Sequence, residues 1–342
     1  MTKTLKKTIK KRLADCNMYI SQLETQNRLL SDNLTKATTQ RQTSEDEKFK
    51  QRREAYLRPI REMAAYVTSS YEFRHNVVSD GYECRRLDAV DGAWSLVDER
   101  QLNTIMNHVQ DDGQVYCLKS LVVQRIRSEL ARDYHPVRAW LDSVRGTWDG
   151  QDRTAALAER ICPGDYCRRM VHLWLRAMVA QWLGRDQQHA NAVMLLLVSP
   201  RQGLHKSTFL RGLLPPALTA YYTDDFSLTS KGNATRKLTE FALVNIDEFD
   251  KLPRQKMPEL KTLMPTVSPS FVKAYKGSFN RLPRIASFVG TSNVRQLLTD
   301  RTGSRRFLIL EPQDVIPVDA IDHCQLYNRR SEERRVGKEC RS

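Results

Sequence analysis

The stretch that most constrains the fold is "SPRQGLHKSTF" (residues 199–209), which directly follows the apolar run "NAVMLLLV". The apolar run predicts a strand, and "STFLRGLL" predicts the start of a helix after the loop. A strand, a loop and a helix in this order suit anion binding. The usual phosphate-binding pattern is G-x-x-x-x-G-K-[ST], whose glycines let backbone N–H groups approach phosphate oxygens. Lys206 and Ser207 match it, but Pro200 and His205 occupy the glycine positions. Alone, the loop is compatible with an altered nucleotide site or with a chance Lys-Ser-Thr.

Three further apolar segments carry polar residues at their ends. "ALVNIDEFD" ends in Asp247 and Glu248, carboxylates that could hold hydrated Mg²⁺ and polarise an attacking water. "RIASFVGTSN" ends in Asn293, an amide that can position the water, and in "TGSRRFLILE" Arg305 and Arg306 could neutralise phosphoryl charge. Each piece also has an ordinary interpretation as a solvated strand end, a turn or a surface patch. Their shared order along the chain favours a nucleotide site.

Over residues 135–312 the chain resembles the virulence-associated protein E family. This phage and mobile-element group is related to superfamily 3 helicases and primase-helicases of the AAA+ type. The segments that carry the resemblance are "SPRQGLHKSTF", "YYTDDFSLTS", "NIDEFDK", "LPRIASFVGTSN" and "LLTDRTGSRRFLILE". The resemblance implies an α/β P-loop NTPase core over residues 189–329, AAA+/superfamily 3 helicase-like, with ATP and Mg²⁺ as cofactors.

The resemblance also implies roles for individual residues. The ATP-binding loop comprises Gln202, Gly203, Leu204, His205, Lys206, Ser207 and Thr208. Magnesium would be held through Ser207 and Asp247, and the catalytic residues would be Glu248, Asn293, Arg305 and Arg306. His205 departs from the glycine pattern and places a bulky side chain where the backbone must approach phosphate.

A basic segment between the acid pair and the asparagine, "FVKAYKGSFNRLPRIAS", predicts a hairpin. In superfamily 3 helicases a hairpin at this point grips single-stranded DNA. The residues expected to contact DNA are Lys273, Tyr275, Lys276, Arg281 and Arg284, through phosphate contacts and base stacking. A plain surface hairpin is the alternative. The net charge of +15 favours a nucleic-acid partner, although basic charge can also serve solubility alone.

The amino-terminal region has a heptad pattern. Apolar or small residues recur in steps of four and three, at Ile9, Leu13, Cys16, Ile20, Leu23, Leu30 and Leu34, with Asn27 as one polar member. This spacing predicts a basic helix or coiled coil over residues 1–44, with a single amphipathic helix as the alternative. Residues 45–70 indicate a charged helix or linker. The seven cysteines form no C-x-x-C pair and are expected to be free, buried thiols.

The remaining regions are predicted from local patterns. Residues 71–134 alternate as short strands followed by two helices, a small α+β region that could contact DNA or act as a packing adaptor. Residues 135–188 form a tryptophan-rich helical region leading into the core. The tail at 330–342, "RSEERRVGKECRS", looks like translated sequencing adapter, with a natural charged tail as the alternative. We expect the natural sequence to continue differently beyond about residue 329.

These features together predict an ATPase of a phage or mobile element that unwinds or remodels DNA during replication. The alternative is a non-hydrolysing or vestigial nucleotide-binding protein that acts as a DNA-binding scaffold. We expect a homo-oligomeric ring, to which the coiled coil could contribute. No apolar run approaches the ~20 residues that cross a bilayer, and the basic amino terminus lacks a secretory h-region. We therefore expect no membrane association and a cytoplasmic location.

Overall fold

The computed structural model describes residues 2–184, 189–228, 231–272, 279–281, 283–295, 304–319 and 321–328. The chain divides into two compact units. The first comprises Met1–Phe73 and Cys84–Ala131, and the second comprises Arg74–Glu83 and Arg132–Ser342. The expected nucleotide-site residues belong to the second unit.

The amino-terminal prediction of helix is confirmed as one element, α1 (Thr2–Ser70). No glycine interrupts this segment, and Pro59 lies close to its carboxyl end. Among the described side chains of α1, burial is confined to that end, where Met63 and Val67 pack beside the first unit's other helices.

The expectation that all the thiols are buried is wrong for Cys16 and Cys324, which are exposed, and for Cys162, which is half-buried. Cys16 is exposed because this part of α1 is solvent-facing.

The strands and helices predicted within residues 71–134 are confirmed. The elements are β1 (Tyr71–Asn76), β2 (Gly81–Arg86), β3 (Ser95–Leu96), α2 (Glu99–Asp111), α3 (Lys119–Ile126) and β4 (Arg132–Tyr134). The strands form a sheet in the order β3-β2-β1-β4, in which β1 and β4 are parallel. Asp98 caps α2 by accepting a hydrogen bond from the Gln101 N–H at 2.7 Å, as expected for an N-cap aspartate.

Three helices lead into the second unit's main sheet: α4 (Pro136–Ser143), α5 (Arg153–Glu159) and α6 (Asp165–Leu183). Trp174 and Trp182 of α6 are buried core residues, as predicted, whereas Tyr166 near the start of the helix is 65% exposed, contrary to that prediction. The two indole N–H groups donate to the carbonyls of Val193 (3.0 Å) and Ala242 (3.1 Å). The helical region is therefore fixed to the sheet by both apolar packing and satisfied polar tips.

The main sheet contains five parallel strands. Its strands and the helices that alternate with them are, in chain order, β5 (Met194–Val198), α7 (Lys206–Arg211), β6 (Tyr222–Thr223), α8 (Lys231–Glu240), β7 (Leu243–Ile246), α9 (Met257–Leu263), β10 (Ser287–Ser292) and β11 (Phe307–Leu310). A separate antiparallel pair, β8 (Ser270–Val272) and β9 (Phe279–Arg281), precedes β10. Alternate β5 residues belong to different apolar clusters. Leu195 and Leu197 pack in one cluster, and Met194 and Leu196 pack in the other. A strand covered on both faces explains the continuous apolar run.

The strand order β11-β5-β10-β7-β6 determines which loops meet. Strand β10 lies between β5 and β7 and is parallel to both. Gly290 permits this close packing, because an added Cβ would lie 2.7 Å from the Ile246 carbonyl oxygen. The carboxyl ends of β5, β10 and β7 are therefore neighbours at one edge of the sheet, the edge where parallel α/β sheets bind ligands.

Among the residues described, none of the helices combines the length and apolar character needed to span a membrane.

Candidate functional site

The loop after β5 turns sharply before α7. Gln202 and Gly203 are exposed, and Gly203 has φ +74°. Leu204 is buried, and its carbonyl accepts a hydrogen bond from the Ile316 N–H at 3.1 Å. His205 has φ +59° and an exposed side chain. The backbone therefore adopts a glycine-favouring conformation at a position where the phosphate-loop pattern expects glycine.

Lys206 connects two neighbouring strands, β5 and β10, at their carboxyl ends. Its Nζ donates to the Ser199 carbonyl beyond β5 (2.9 Å), to the Ser292 carbonyl of β10 (3.0 Å) and to Asn293 Oδ1 (2.8 Å). Burial lowers the pKa of the Lys206 ammonium, against the attraction of Asp250 and Asp247. An ammonium has three donors, so all of them are engaged here. A phosphate ligand would have to replace at least one of these acceptors.

Ser207, in the first turn of α7, meets Asp247, the residue directly after β7. Ser207 Oγ donates to Asp247 Oδ1 at 2.8 Å, and Thr291 Oγ1 donates to the same carboxylate oxygen. Mg²⁺ prefers oxygen ligands and is often bound by one or two side chains together with water and substrate phosphates. Among the described residues, no cluster of three or more His, Cys, Asp or Glu could hold a metal by itself. The Ser207–Asp247 pair fits a magnesium ion that arrives with a nucleotide.

Glu248 follows Asp247 in a left-handed backbone conformation, φ +50°. Its N–H donates to Thr291 Oγ1 at 3.2 Å, which ties the end of β7 to β10. Its carboxylate is half-exposed and pairs with Lys251 Nζ at 2.7 Å. The left-handed turn therefore separates the two acids, with Asp247 facing Ser207 and Glu248 turned toward solvent.

A third carboxylate, Asp250, belongs to this cluster and was not predicted from the sequence. It accepts hydrogen bonds from Ser292 Oγ (2.8 Å) and from the Asn293 N–H (3.1 Å). Burial acts to raise the pKa of Asp250, but these two hydrogen bonds, a hydrogen bond from its own backbone and the charge of Lys251 together lower the pKa. The signal was present in "NIDEFDK", where a short 3₁₀ turn at Phe249–Lys251 follows the acid pair.

The site residues thus come from three loops at one sheet edge. Lys206, Ser207, Asp247, Asp250 and Asn293 are joined there by hydrogen bonds or by electrostatic attraction. The family model for the virulence-associated protein E-like domain matches residues 141–329, more than half of the chain. The chain belongs to this family.

Solved structures similar to this member of the virulence-associated protein E-like family include two of the NrS-1 C-terminal region. The apo structure of NrS-1 residues 305–718 is 14% identical with a TM-score of 0.47, covering 80% of this chain and 67% of that one. An A-form apo structure of the NrS-1 C-terminal region is 12% identical with a TM-score of 0.48, and the match covers 80% of this chain and 71% of that one. No curated protein matches the sequence.

Two predicted catalytic residues of the virulence-associated protein E-like domain lie away from this cluster. Arg305 and Arg306 directly precede β11, whose Phe307 is paired with Met194 at the start of β5. Lys206 follows the opposite end of β5. A strand rises about 3.3 Å per residue, so the five residues of β5 separate the two edges by roughly 15 Å. The arginines are therefore at the amino edge of the sheet, and the structure does not bring them to Lys206 of the same chain.

The predicted hairpin is confirmed in its two strands, since Val272 pairs with Phe279 and Ser270 with Arg281. Its tip, with Lys273, Tyr275 and Lys276, lies outside the described residues. The side chain of Arg281 is likewise outside the description. Its expected DNA contact, like those of the tip residues, stays a prediction.

The predicted DNA contact by Arg284 is wrong. Its side chain is 1% exposed and donates to the carbonyls of Ala286 (2.7 Å), Asn191 (3.1 Å) and Met264. Burial lowers its pKa to about 9. Among the described residues it forms no ion pair, and carbonyl dipoles solvate the guanidinium instead. Arg284 ties the chain before β10 to neighbouring loops and cannot reach a nucleic acid.

Proposed function

We propose that this chain is a P-loop ATPase of a phage or mobile element that acts on DNA during replication as a helicase or remodeller. The observation that carries the proposal is the meeting of Lys206, the Ser207–Asp247 pair and Asn293 at the carboxyl edge of adjacent parallel strands. Phosphoryl transfer requires this combination of a cation, a magnesium-binding oxygen pair and a water-orienting amide.

Each of these residues has a role in ATP hydrolysis under this proposal. Lys206 binds the β- and γ-phosphates, and Ser207 and Asp247 hold magnesium, which neutralises phosphate charge when bound. Asn293 orients the attacking water. Glu248 accepts a proton from that water as the new P–O bond forms and the bond to ADP breaks, after its carboxylate has released Lys251.

The DNA-directed part of the proposal is supported by charge and by the hairpin. The net charge of +15 would attract phosphate backbones, and the sequence that joins β8 to β9 contains Lys273 and Lys276. The cofactors are ATP and Mg²⁺, and the nucleic-acid partner is single-stranded DNA. A homo-oligomer would supply Arg305 or Arg306 of one subunit to the nucleotide of its neighbour, because these arginines are distant from the site in their own chain.

A second candidate is a nucleotide-binding or vestigial DNA scaffold without turnover. It is favoured by the engagement of all three Lys206 donors and by Pro200 and His205 at the two positions where the phosphate-loop pattern has glycine. Under this candidate the Lys206 contacts are a structural clasp that no phosphate replaces.

Release of phosphate from ATP by the full chain, with and without single-stranded DNA, separates the two candidates. Lys206→Ala should lower the rate by at least about 10²-fold, because an aligned charge on the transferring phosphate is lost. Glu248→Gln should keep nucleotide binding and lose hydrolysis. Lys251→Ala is the matched control and should remain active, since this exposed lysine contacts Glu248 only from outside. Nucleotide binding without phosphate release in the parent chain would establish the scaffold instead.

A further inference from the structure

Most of α1 has no packing partner in the described part of the chain. Its described side chains from residue 5 to 56 are all exposed, and burial begins only near the carboxyl end. Helices in proteins obtain most of their stability from packing an apolar face. An exposed helix of this length therefore requires a surface that covers its apolar stripe.

The apolar stripe follows the heptad rule over residues 9–34. The d positions hold Ile9, Cys16, Leu23 and Leu30, and the a positions hold Leu13, Ile20, Asn27 and Leu34. Leu13 and Leu34 are 61% and 70% exposed, so the stripe is open along its length. A period of 3.5 residues is matched by another helix with the same period, wound as a left-handed supercoil.

We propose that residues 9–34 pair with the same residues of a second copy as a parallel, in-register, two-stranded coiled coil. In this arrangement Asn27 faces Asn27 and Cys16 faces Cys16. The two amides can then donate to and accept from each other across the interface.

Asn27 is the residue that selects this arrangement over the others. Reversing one helix exchanges the a and d rows, which would place Asn27 against a d residue such as Leu23 or Leu30. Shifting a parallel pair by one heptad would place it against Ile20 or Leu34. Either change buries an amide on each helix without a hydrogen-bond partner, which is unfavourable.

The flanking charges are compatible with the parallel register. The g positions of one helix face the following e positions of the other, and these pairs are Arg12 with Asn17, Tyr19 with Glu24, and Gln26 with Ser31. None of these pairs joins like charges. The proposal does not depend on the nucleotide site, and its test requires no ATP.

Cys16 provides a direct probe of the register. Helices packed with axes about 8–10 Å apart and Cα atoms about 2.3 Å from each axis bring facing Cα atoms within roughly 6 Å, a disulfide-compatible distance. The background is the full chain with Cys324→Ser and Cys340→Ser. Diamide would oxidise two facing thiols, taking up their two electrons and two protons as the S–S bond forms. We expect a covalent dimer that dithiothreitol reverses.

The matched control moves the thiol to the outer face. Cys16→Ser should abolish the cross-link, and Cys16→Ser with Met18→Cys should form it at least about tenfold more slowly, because position 18 is the outward f position. Sedimentation at the same concentration should give a dimer or a multiple of it. Equal cross-linking at positions 16 and 18, a monomeric mass, or an oligomer without the Cys16 cross-link would each overturn the proposal.

Discussion

At the scale of single residues, the backbone at His205 is the point where this loop is most strained. A non-glycine residue with φ near +60° costs about 1 kcal/mol, and this cost falls where phosphate would be bound. His205→Gly should therefore maintain or raise ATP affinity, by up to about fivefold if the strain is greater in the bound loop. Titration with a fluorescent ATP analogue measures this.

His205→Ala is the control for the preceding variant, because it removes the imidazole and keeps the strained Cβ. If both variants lose binding, the imidazole itself is a ligand of the nucleotide, and its intrusion is functional.

Asp250 is the residue that fixes the position of Asn293, through the main-chain N–H of Asn293 and the hydroxyl of Ser292. Asp250→Ala should reduce kcat by as much as about 10²-fold with little change in KM, because a small displacement of a water-orienting group is costly. Asp250→Asn retains an acceptor oxygen and should recover most of the rate. Steady-state ATPase kinetics of both variants test this. An equal loss of kcat in the Ala and Asn variants would show that the negative charge beside Lys206 matters instead. An unchanged kcat in Asp250→Ala would show that Asp250 has no role in the mechanism.

At the scale of helices and strands, the sequence predicts the elements and the order of the site loops. Apolar runs such as "VMLLLV" and "IASFVG" become buried strands because both faces of the sheet are covered. The neighbouring positions of β5, β10 and β7 are a property of the sheet order, which no local pattern contains. Asp250 was missed for this reason, since its partners Ser292 and Asn293 are some forty residues away along the chain.

Arg284 illustrates the opposite error. In the sequence it is one more cation near a basic hairpin, yet carbonyls from Asn191 and Met264 converge on it in the fold. A buried arginine of this kind depends on distant backbone groups, so its sequence neighbours predict exposure.

The amino end of α4 couples stability to pH. His135 is the N-cap, and its Nδ1 accepts from the Arg138 N–H at 3.4 Å. Burial, reinforced by the Arg138 charge, lowers the pKa of His135 to about 4 from 6.5. Below pH 6.5 His135 binds a proton in the unfolded chain, whereas in the folded chain it does so only near pH 4. Protonation therefore favours the unfolded state, and the free energy of unfolding decreases as the pH falls from 6.5 to about 4.

His135→Asn keeps a capping oxygen and removes the titration. Relative to this variant, the parent should lose about 1–2 kcal/mol of unfolding free energy between pH 7.5 and pH 5. Urea unfolding of both chains at the two pH values measures the difference. Parallel pH profiles would show that His135 is protonated equally in both states.

At the scale of the whole molecule, the sheet separates two halves of the proposed catalytic machinery. Lys206, Asp247 and Asn293 lie at the carboxyl edge, while Arg305 and Arg306 precede β11 at the amino edge. A single subunit therefore cannot combine them. Under the proposed function, a complete site requires the carboxyl edge of one copy and the amino edge of another, and a catalytic arginine supplied in this way can raise the rate by roughly 10³ to 10⁵.

Mixing two inactive variants tests this division. Lys206→Ala loses its own site and still offers its arginines, whereas the Arg305→Ala, Arg306→Ala double variant keeps its site and lacks them. Each should hydrolyse ATP at a small fraction of the parent rate, and their mixture should recover part of it, because some interfaces join an intact Lys206 to intact arginines. The control replaces Lys206→Ala in the mixture with a triple variant that carries all three substitutions. This variant has neither Lys206 nor the two arginines, so it cannot restore activity to the double variant. Phosphate release is measured on mixtures in which co-purification of differently tagged copies demonstrates mixed oligomers. If such oligomers form and the mixture remains as inactive as its components, the arginines do not act between subunits.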